Sequence, residues 1–93
     1  MVINFYATLR LAAGRKQVEV DLSESCTVLG ALELATRDRP ALGAEIWEAP
    51  GRLFDYIHVF INGRESVFLP QQLNTLLSAA DEVDVFPPVG GGV

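Results

Sequence analysis

The residues with the clearest chemical use lie near the end of the 93-residue chain, where Gly90-Gly91-Gly92 follows Pro87-Pro88 and a single valine. Glycine has no Cβ, so a glycine segment can enter a channel too narrow for other residues and present its carbonyl group without steric cover. At about 3.3 Å per extended residue, residues 89–92 span roughly 13 Å. The sequence therefore predicts a flexible tail, residues 89–93, whose glycines, Gly90 and Gly91 among them, thread into a partner's active site.

A glycine carboxylate at the tip of such a tail is suited to acyl activation. It attacks ATP and forms an acyl-adenylate, which is an electrophile for sulfur or for an amine. Gly92 has only a peptide carbonyl while Val93 follows it, and the β-branched Val93 side chain fits poorly in a channel of glycine size. We therefore expect a protease to remove Val93 before the tail reacts, unless Val93 is the start of a longer tail. The alternative is an interaction module whose tail is inactive.

The remaining candidates for chemistry stand alone. Cys26 is the only cysteine, and without a second cysteine or clustered histidines it favours a packed thiol over a nucleophile or a zinc ligand. His58 is the only histidine and has no evident partner acid or nucleophile, so a surface or interface role is expected. We predict no catalytic residue, no metal site and no bound cofactor, with ATP used only by the enzyme that activates the tail.

Charge and hydropathy limit the choice of partners. Seven Lys and Arg residues against twelve Asp and Glu residues give a net charge of −5, which disfavours binding to nucleic acid or to an anionic membrane and favours a basic protein partner. We expect neither a secretory signal nor a membrane span, because the first residues lack a basic region and no long apolar run follows them. The lone cysteine is typical of a reducing compartment, so a cytoplasmic location is predicted.

Two strands are predicted at the start of the chain. Residues Val2 to Ala7 mix β-branched and aromatic types, and Gln17 to Leu22 alternate between polar and apolar types. The stretch from Thr8 to Arg15 connects them and contains the turn signal Ala13-Gly14-Arg15. The two strands should form a hairpin with one solvated face.

A helix should begin at Val28, with Thr27 as its N-cap, and end near Asp38-Arg39, because the following proline disfavours helical geometry in the residue before it. A second short helix is expected from Pro40 to Glu48, followed by a break at Ala49-Pro50-Gly51. The first helix follows the hairpin directly and is available to cover one face of the sheet.

The strongest strand pattern runs from Tyr56 to Ile61, and Asn62-Gly63 directly after it supplies the two positive-φ residues of a type I′ hairpin turn. A partner strand should therefore begin near Arg64, followed by a short turn that carries several leucines. The last strand is predicted from Val83 to Phe86, and Pro87-Pro88 ends all strand pairing.

The element order predicts an α+β fold in which the final strand lies beside the first and the main helix packs on one face of a mixed sheet, which is the β-grasp arrangement. Residues 1–88 would form this domain and residues 89–93 its tail. Four aromatic residues are too many for all the strands to bury on the helix side (Tyr6, Tyr56, Phe60, Phe86). We expect Tyr56, Phe60 and Phe86, with Asp84, to form a docking patch on the open face; packing in the core is the alternative.

The last residues of the chain resemble those of a known family. Residues 81–92, with the sequence DEVDVFPPVGGG, are similar to the C-terminus of the MoaD/ThiS family of ubiquitin-like sulfur carriers, which includes the small subunit of molybdopterin synthase. Further similarity runs through residues 5–10, 13–15 and 59–64. Gly90 stands where alanine is common in the family, and Val93 follows the terminal glycine pair.

The resemblance implies a protein that carries sulfur for other enzymes. An E1-like enzyme would adenylate Gly92, and a sulfur donor would convert it to a thiocarboxylate. The large subunit of molybdopterin synthase, or another acceptor enzyme, would receive the sulfur. Related carriers supply sulfur for thiamine, cysteine or thiolated tRNA, and some are joined to lysines as protein modifiers. The resemblance thus favours molybdenum cofactor biosynthesis and leaves these other roles open.

Overall fold

Nine short strands and three α-helices make up the described part of the chain, residues 1–22 and 26–88, in the computed structural model. In chain order the elements are β1 (Val2–Phe5), α1 (Thr8–Ala13), β2 (Gln17–Glu19), β3 (Cys26–Thr27), α2 (Val28–Thr36), α3 (Pro40–Ile46), β4 (Trp47–Ala49), β5 (Arg52–Leu53), β6 (His58–Ile61), β7 (Arg64–Glu65), β8 (Leu76–Leu77) and β9 (Val83–Phe86). Two short 3-10 helices, Ser66–Phe68 and Gln72–Asn74, lie between β7 and β8. Five of the strands share one sheet, which positions the candidate site.

The main sheet has the strand order β2-β1-β9-β6-β7. Strand β9 pairs in parallel with β1 and antiparallel with β6, while the outer pairs, β1 with β2 and β6 with β7, are antiparallel. The final strand therefore lies beside the first, in the middle of the sheet, as the sequence predicts. With α2 packed against one face, this is the predicted α+β, β-grasp arrangement.

The hydrophobic core lies on one face of the sheet, because alternate residues of a strand point to opposite faces. Side chains from β1, β6, β9, α2 and α3 fill it, and its largest fully buried members include Phe5, Ile3, Leu32, Leu42 and Ile46. The residues between the buried positions of β1, β6 and β9 are only half-buried. The opposite face of the sheet is therefore open.

Helix α2 begins as predicted. Thr27 has extended backbone angles, and its Oγ1 accepts a hydrogen bond of 3.1 Å from the amide three residues further on, which is N-cap geometry. The helix ends at Thr36, short of the predicted end at residues 38–39. The Arg39 amide bonds the Thr36 carbonyl in a tighter i to i+3 turn, because the residue before Pro40 avoids helical geometry.

Helix α3 also begins as predicted, with Pro40 in its first turn. It is shorter than the predicted segment of residues 40–48, because the last two of these residues leave the helix and begin β4. Strand β4 pairs with β5 across a turn at Pro50-Gly51, the predicted break. Trp47 Nε1 donates a hydrogen bond of 3.0 Å to Thr36 Oγ1, which holds this hairpin against the end of α2.

The segment after β1 differs from its prediction. Strand β1 ends at Phe5 and not at Ala7, whose φ of 52° turns the chain into α1. The segment predicted only as a connection between two strands contains a helix instead, with Leu9 buried in the core. It closes at Gly14, which has a φ of 78° and whose amide bonds the Arg10 carbonyl. A helix of 6 residues is too short to show a periodic pattern in the sequence.

Three further strand predictions are corrected by the structure. Strand β2 ends at Glu19 rather than Leu22, and β6 begins at His58 because Tyr56 lies in a turn. The leucine-bearing turn contains β8, which pairs with β3 in a small second sheet. Strands of 2 residues carry too little alternation to be recognised in the sequence.

The Asn62-Gly63 turn is confirmed, with φ values of 52° and 84°. Asn62 also ties this hairpin to the loop before β9. Its Nδ2 donates to Asp81 Oδ1 at 3.0 Å, and its Oδ1 accepts from the Glu82 amide at 2.9 Å. Hydrogen bonds from the Ser78 amide and then from Asn62 hold the pKa of Asp81 below its ordinary value. These contacts fix the point at which β9 begins.

Replacing Thr27 with alanine should lower the free energy of unfolding by about 1 kcal/mol, because one amide at the start of α2 loses its capping bond. Thr8→Ala is a matched control, since Thr8 is exposed at the start of α1 and its hydroxyl makes no hydrogen bond to any described residue. Urea unfolding followed by circular dichroism measures both variants. Equal losses in the two variants would show that the capping bond is not the source of the effect.

Candidate functional site: the open face of the sheet

One row of side chains crosses the open face of all five strands. Glu65 of β7 pairs with Phe60 of β6, and Phe60 pairs with Asp84 of β9. The row continues from Asp84 to Asn4 of β1 and from Asn4 to Gln17 of β2. Facing residues on adjacent strands lie about 5 Å apart, so neighbouring side chains in the row are in reach of one another. The row places a carboxylate on each side of the Phe60 ring.

An aromatic cluster forms the next row on the same face, where His58 pairs with Phe86. The Tyr6 ring stacks on the Phe86 ring, with centroids 4.2 Å apart and planes inclined by 13°. Phe60 meets Phe86 edge to face, at 5.3 Å and 79°. The Arg10 guanidinium carbon lies 5.7 Å from the centroid of Tyr6. The three rings thus form one continuous apolar surface that reaches the last residue of β9.

The Asp84 carboxylate is held in one orientation by two side chains of the neighbouring strand segment. Asn4 Nδ2 and the Tyr6 hydroxyl donate to Asp84 Oδ1 at 2.8 and 3.0 Å. Gln17 Nε2 in turn donates to Asn4 Oδ1 at 2.9 Å, which orients the Asn4 amide. Burial, and next the hydrogen bond to Asp84, raise the pKa of Tyr6 above its ordinary value of 10.0. Asp84 is therefore part of a connected polar network on the open face.

A cavity of about 510 Å³ opens beside the aromatic cluster and is lined by His58, Phe60, Gly63, Glu65, Asp84 and Phe86. The two phenyl rings supply apolar surface and the two carboxylates supply negative charge. His58 Nδ1 lies 2.6 Å from Glu65 Oε2, so the imidazole holds the Glu65 side chain at the wall. A cavity of this composition suits an apolar or cationic group and repels an anionic one.

Three of the four predicted docking residues come together on this face: Phe60, Phe86 and Asp84. Tyr56 is not part of this group, because it lies in the turn before β6 and its ring stacks on Phe54 with centroids 4.9 Å apart. The expectation that Tyr56 continues the strand alternation of Phe60 is therefore wrong. The docking role of all four residues stays a prediction.

Asn4 and Glu65 belong to the site but are absent from the predicted docking set. The alternation of β1 places Asn4 on the same face as Tyr6, so its position was readable in the sequence. The two-residue turn at Asn62-Gly63 sets Glu65 opposite Phe60, and this register was also available from the turn type.

The predicted tail residues Gly90, Gly91, Gly92 and Val93 lie outside the described residues, and their roles stay predictions. The described chain ends at Pro88, two positions after Phe86, and so leaves the sheet beside the aromatic cluster. A partner bound to this cluster would be close to the point from which residues 89–93 continue.

The other features considered in the sequence give no support for a second functional site in the described residues. Burial raises the pKa of the Cys26 thiol, which favours a packed thiol over a nucleophile. Residues 1–22 and 26–88 contain no group of three or more side chains placed to hold a metal ion. In the same described ranges, no helix is long and apolar enough to cross a membrane.

Asp84→Asn should bring the pKa of Tyr6 back towards 10.0 without reaching it, because the negative charge is lost while burial, the larger cause, remains. The asparagine oxygen can still accept both hydrogen bonds, so the face should stay intact. Asp38→Asn, which removes an exposed carboxylate beyond the end of α2, is the control and should leave this pKa unchanged. NMR titration of the Tyr6 ring signals measures both, and an unaltered pKa in Asp84→Asn would contradict the coupling.

Comparison with known proteins finds relatives of the same length. The chain is 36% identical over 87 residues to small archaeal modifier protein 1 of Haloferax volcanii, a match that covers 94% of each chain. It is 33% identical over 90 residues to small archaeal modifier protein 3 of the same organism, covering 97% of this chain and 96% of that one. The crystal structure of SAMP1 from Haloferax volcanii has a TM-score of 0.85 at 35% identity and covers 99% of this chain and 98% of its own. This likeness confirms the predicted fold.

A family model also matches nearly the whole chain. The model of the ThiS family matches residues 3–92, a range that contains the open face, Pro87-Pro88 and all three glycines of the tail. The match agrees with the resemblance of residues 81–92 to the MoaD/ThiS carriers. On these grounds the chain belongs to the ThiS family.

Proposed function

We propose that this chain is a carrier protein whose Gly92 carboxylate is activated by an ATP-dependent enzyme and then charged with sulfur. One observation carries the proposal: β9 supplies the open-face residues Asp84 and Phe86 and, after two prolines, leads to the glycines. A partner docked on the open face therefore meets the base of the tail. The family match through residue 92 supports the same use of the glycines.

The proposed activation has two steps. The Gly92 carboxylate attacks the α-phosphate of ATP, which gives the acyl-adenylate and releases pyrophosphate. Hydrosulfide, delivered by a sulfur donor, then adds to the acyl carbon, and AMP leaves with one of the former carboxylate oxygens. The product is a thiocarboxylate at Gly92. The carrier supplies only the acyl group, while the activating enzyme binds ATP and provides the catalytic groups, so the carrier itself is not an enzyme.

The first sulfur acceptor to test is the large subunit of a molybdopterin synthase, because the C-terminal segment resembles that of the small subunit. The negative charge of the chain and the carboxylates of its open face suit a basic docking surface, whether on the activating enzyme or on the sulfur acceptor. Such charges act mainly on the rate of association.

Protein modification is the second candidate function. Two relatives that cover nearly the whole chain are named small archaeal modifier proteins. In this role a lysine amine takes the place of sulfur, an isopeptide bond forms between the Gly92 carbonyl and the lysine Nζ, and the activating group leaves. The two functions share the activation step and differ in the nucleophile. Mass spectrometry of native cells containing an N-terminally tagged chain separates them, since only the modifier role gives lysine conjugates.

The chain ending at Gly92, incubated with ATP, a sulfide source and an activating enzyme from its native cell, should gain the mass that corresponds to one oxygen replaced by sulfur. A chain that lacks residues 91–93 should give no such product. Its thermal unfolding midpoint should be unchanged, because the deletion leaves every described residue in place. If intact-mass measurement shows equal charging of the shortened chain, the reactive residue is not Gly92.

A chain that retains Val93 should stay uncharged in the same assay until the Gly92–Val93 peptide bond is hydrolysed. The physical reason is that an amide carbonyl at Gly92 cannot attack ATP, while the branched Val93 side chain crowds the carboxylate next to it. Intact-mass analysis of the two forms side by side measures the difference. Comparable charging of the form with Val93 would show that no proteolytic maturation step is needed.

A further inference from the structure

The cavity on the open face is lined by groups that suit the binding of a planar cation. Phe60 and Phe86 supply apolar surface within its volume of about 510 Å³. Glu65 and Asp84 stand on the two strands that flank Phe60, and two strand spacings separate them, roughly 10 Å. A group that fills this space contacts an aromatic ring and lies between two carboxylates.

Both carboxylates are already oriented. Asn4 and Tyr6 bond Asp84 through Oδ1, and His58 contacts Glu65 through Oε2. Within residues 1–22 and 26–88, these bonds leave Asp84 Oδ2 and Glu65 Oε1 to accept from a ligand. A preordered site loses little side-chain freedom when it binds, which favours affinity.

The chain itself shows how a guanidinium fits on this face. The Arg10 guanidinium lies 5.7 Å from the Tyr6 ring centroid, and its Nε donates to the Phe5 carbonyl at 3.2 Å. Arg10 therefore occupies the Tyr6 end of the aromatic cluster with a fixed cation. The Phe60 end lines the cavity and has carboxylates on both sides. Guanidinium is planar, stacks on aromatic rings and gives up its hydration more readily than ammonium, so arginine fits this end better than lysine.

We propose that this cavity binds an arginine side chain of the protein that docks on the open face, with the guanidinium against Phe60 and hydrogen-bonded to Asp84 and Glu65. The inference rests on the proposed function for the identity of that partner, the enzyme that activates the tail. The net charge of −5 favours a basic partner over an acidic one. The arginine anchors the partner beside β9 and so sets where the tail enters it.

The direct test is an NMR titration of the full chain with N-acetyl-arginine methylamide. The matched ligand is N-acetyl-citrulline methylamide, which has the same shape without the charge. The arginine ligand should shift the ring signals of Phe60 and Phe86 and the amide signal of Gly63. Its dissociation constant should be at least about fivefold lower than that of the citrulline ligand, and the difference should shrink as salt is raised.

Two variants test whether the carboxylates of the cavity contribute to binding of the arginine ligand. Asp84→Asn and Glu65→Gln each remove one carboxylate without changing side-chain shape, and each should weaken binding of the arginine ligand at least about threefold. Asp38→Asn removes an equal charge away from the cavity and should leave the affinity unchanged. Spectra of the free variants check that each one is folded.

Equal affinities for the two ligands, signal changes confined to other residues, or equal losses in Asp38→Asn and Asp84→Asn would each overturn the inference. The titration contains no ATP, activating enzyme or sulfur donor. Failure to bind arginine with normal charging of Gly92 therefore refutes this inference alone. Failure of charging with specific arginine binding refutes the proposed function and leaves the site in place.

Discussion

The pairing of β9 between β1 and β6 is the constraint on which the rest of the structure depends. Val83 and Val85 have no exposed surface, and they meet buried residues of both neighbouring strands. Because alternate residues of a strand face opposite ways, burial of the two valines forces Asp84 and Phe86 onto the open face. The same strand therefore completes the core on one face of the sheet and contributes to the candidate docking surface on the other.

The placement of β9 links the stability of the core to the geometry of the open face. Moving its register by one residue would bury Asp84 and expose the valines, so the core protects the geometry of the open face. The Asn62 contacts fix the beginning of β9, and the proline pair ends its pairing. On the open face, the Asp84 network and the aromatic cluster then connect β9 to its two neighbours, the β1 segment and β6. In the proposed function, a partner recognises this surface before it engages the tail.

Most of the fold could be predicted, because the turns, helix starts and strands that set its topology have recognisable local sequence patterns. Asn62-Gly63 dictates a two-residue turn, Thr27 caps α2, and the valine alternation of β9 marks a half-covered strand. Elements that escaped prediction, such as α1 and β8, are too short for a period and are stabilised by tertiary contacts. The prediction that Tyr56 belongs to the strand failed for a related reason. Its residue type suits a strand, but residue 56 lies in a turn before β6 begins.

Hydroxyl-radical footprinting of the chain, free and bound to its activating enzyme, tests most directly whether the open face is the docking surface. The rings of Tyr6, Phe60 and Phe86 report on that face. Trp47, which lines a groove of about 490 Å³ against α2, reports on the helix side. We expect oxidation of the three open-face rings to fall in the complex while Trp47 reacts as it does in the free chain. Protection of Trp47 with the three rings unchanged would contradict docking on the open face.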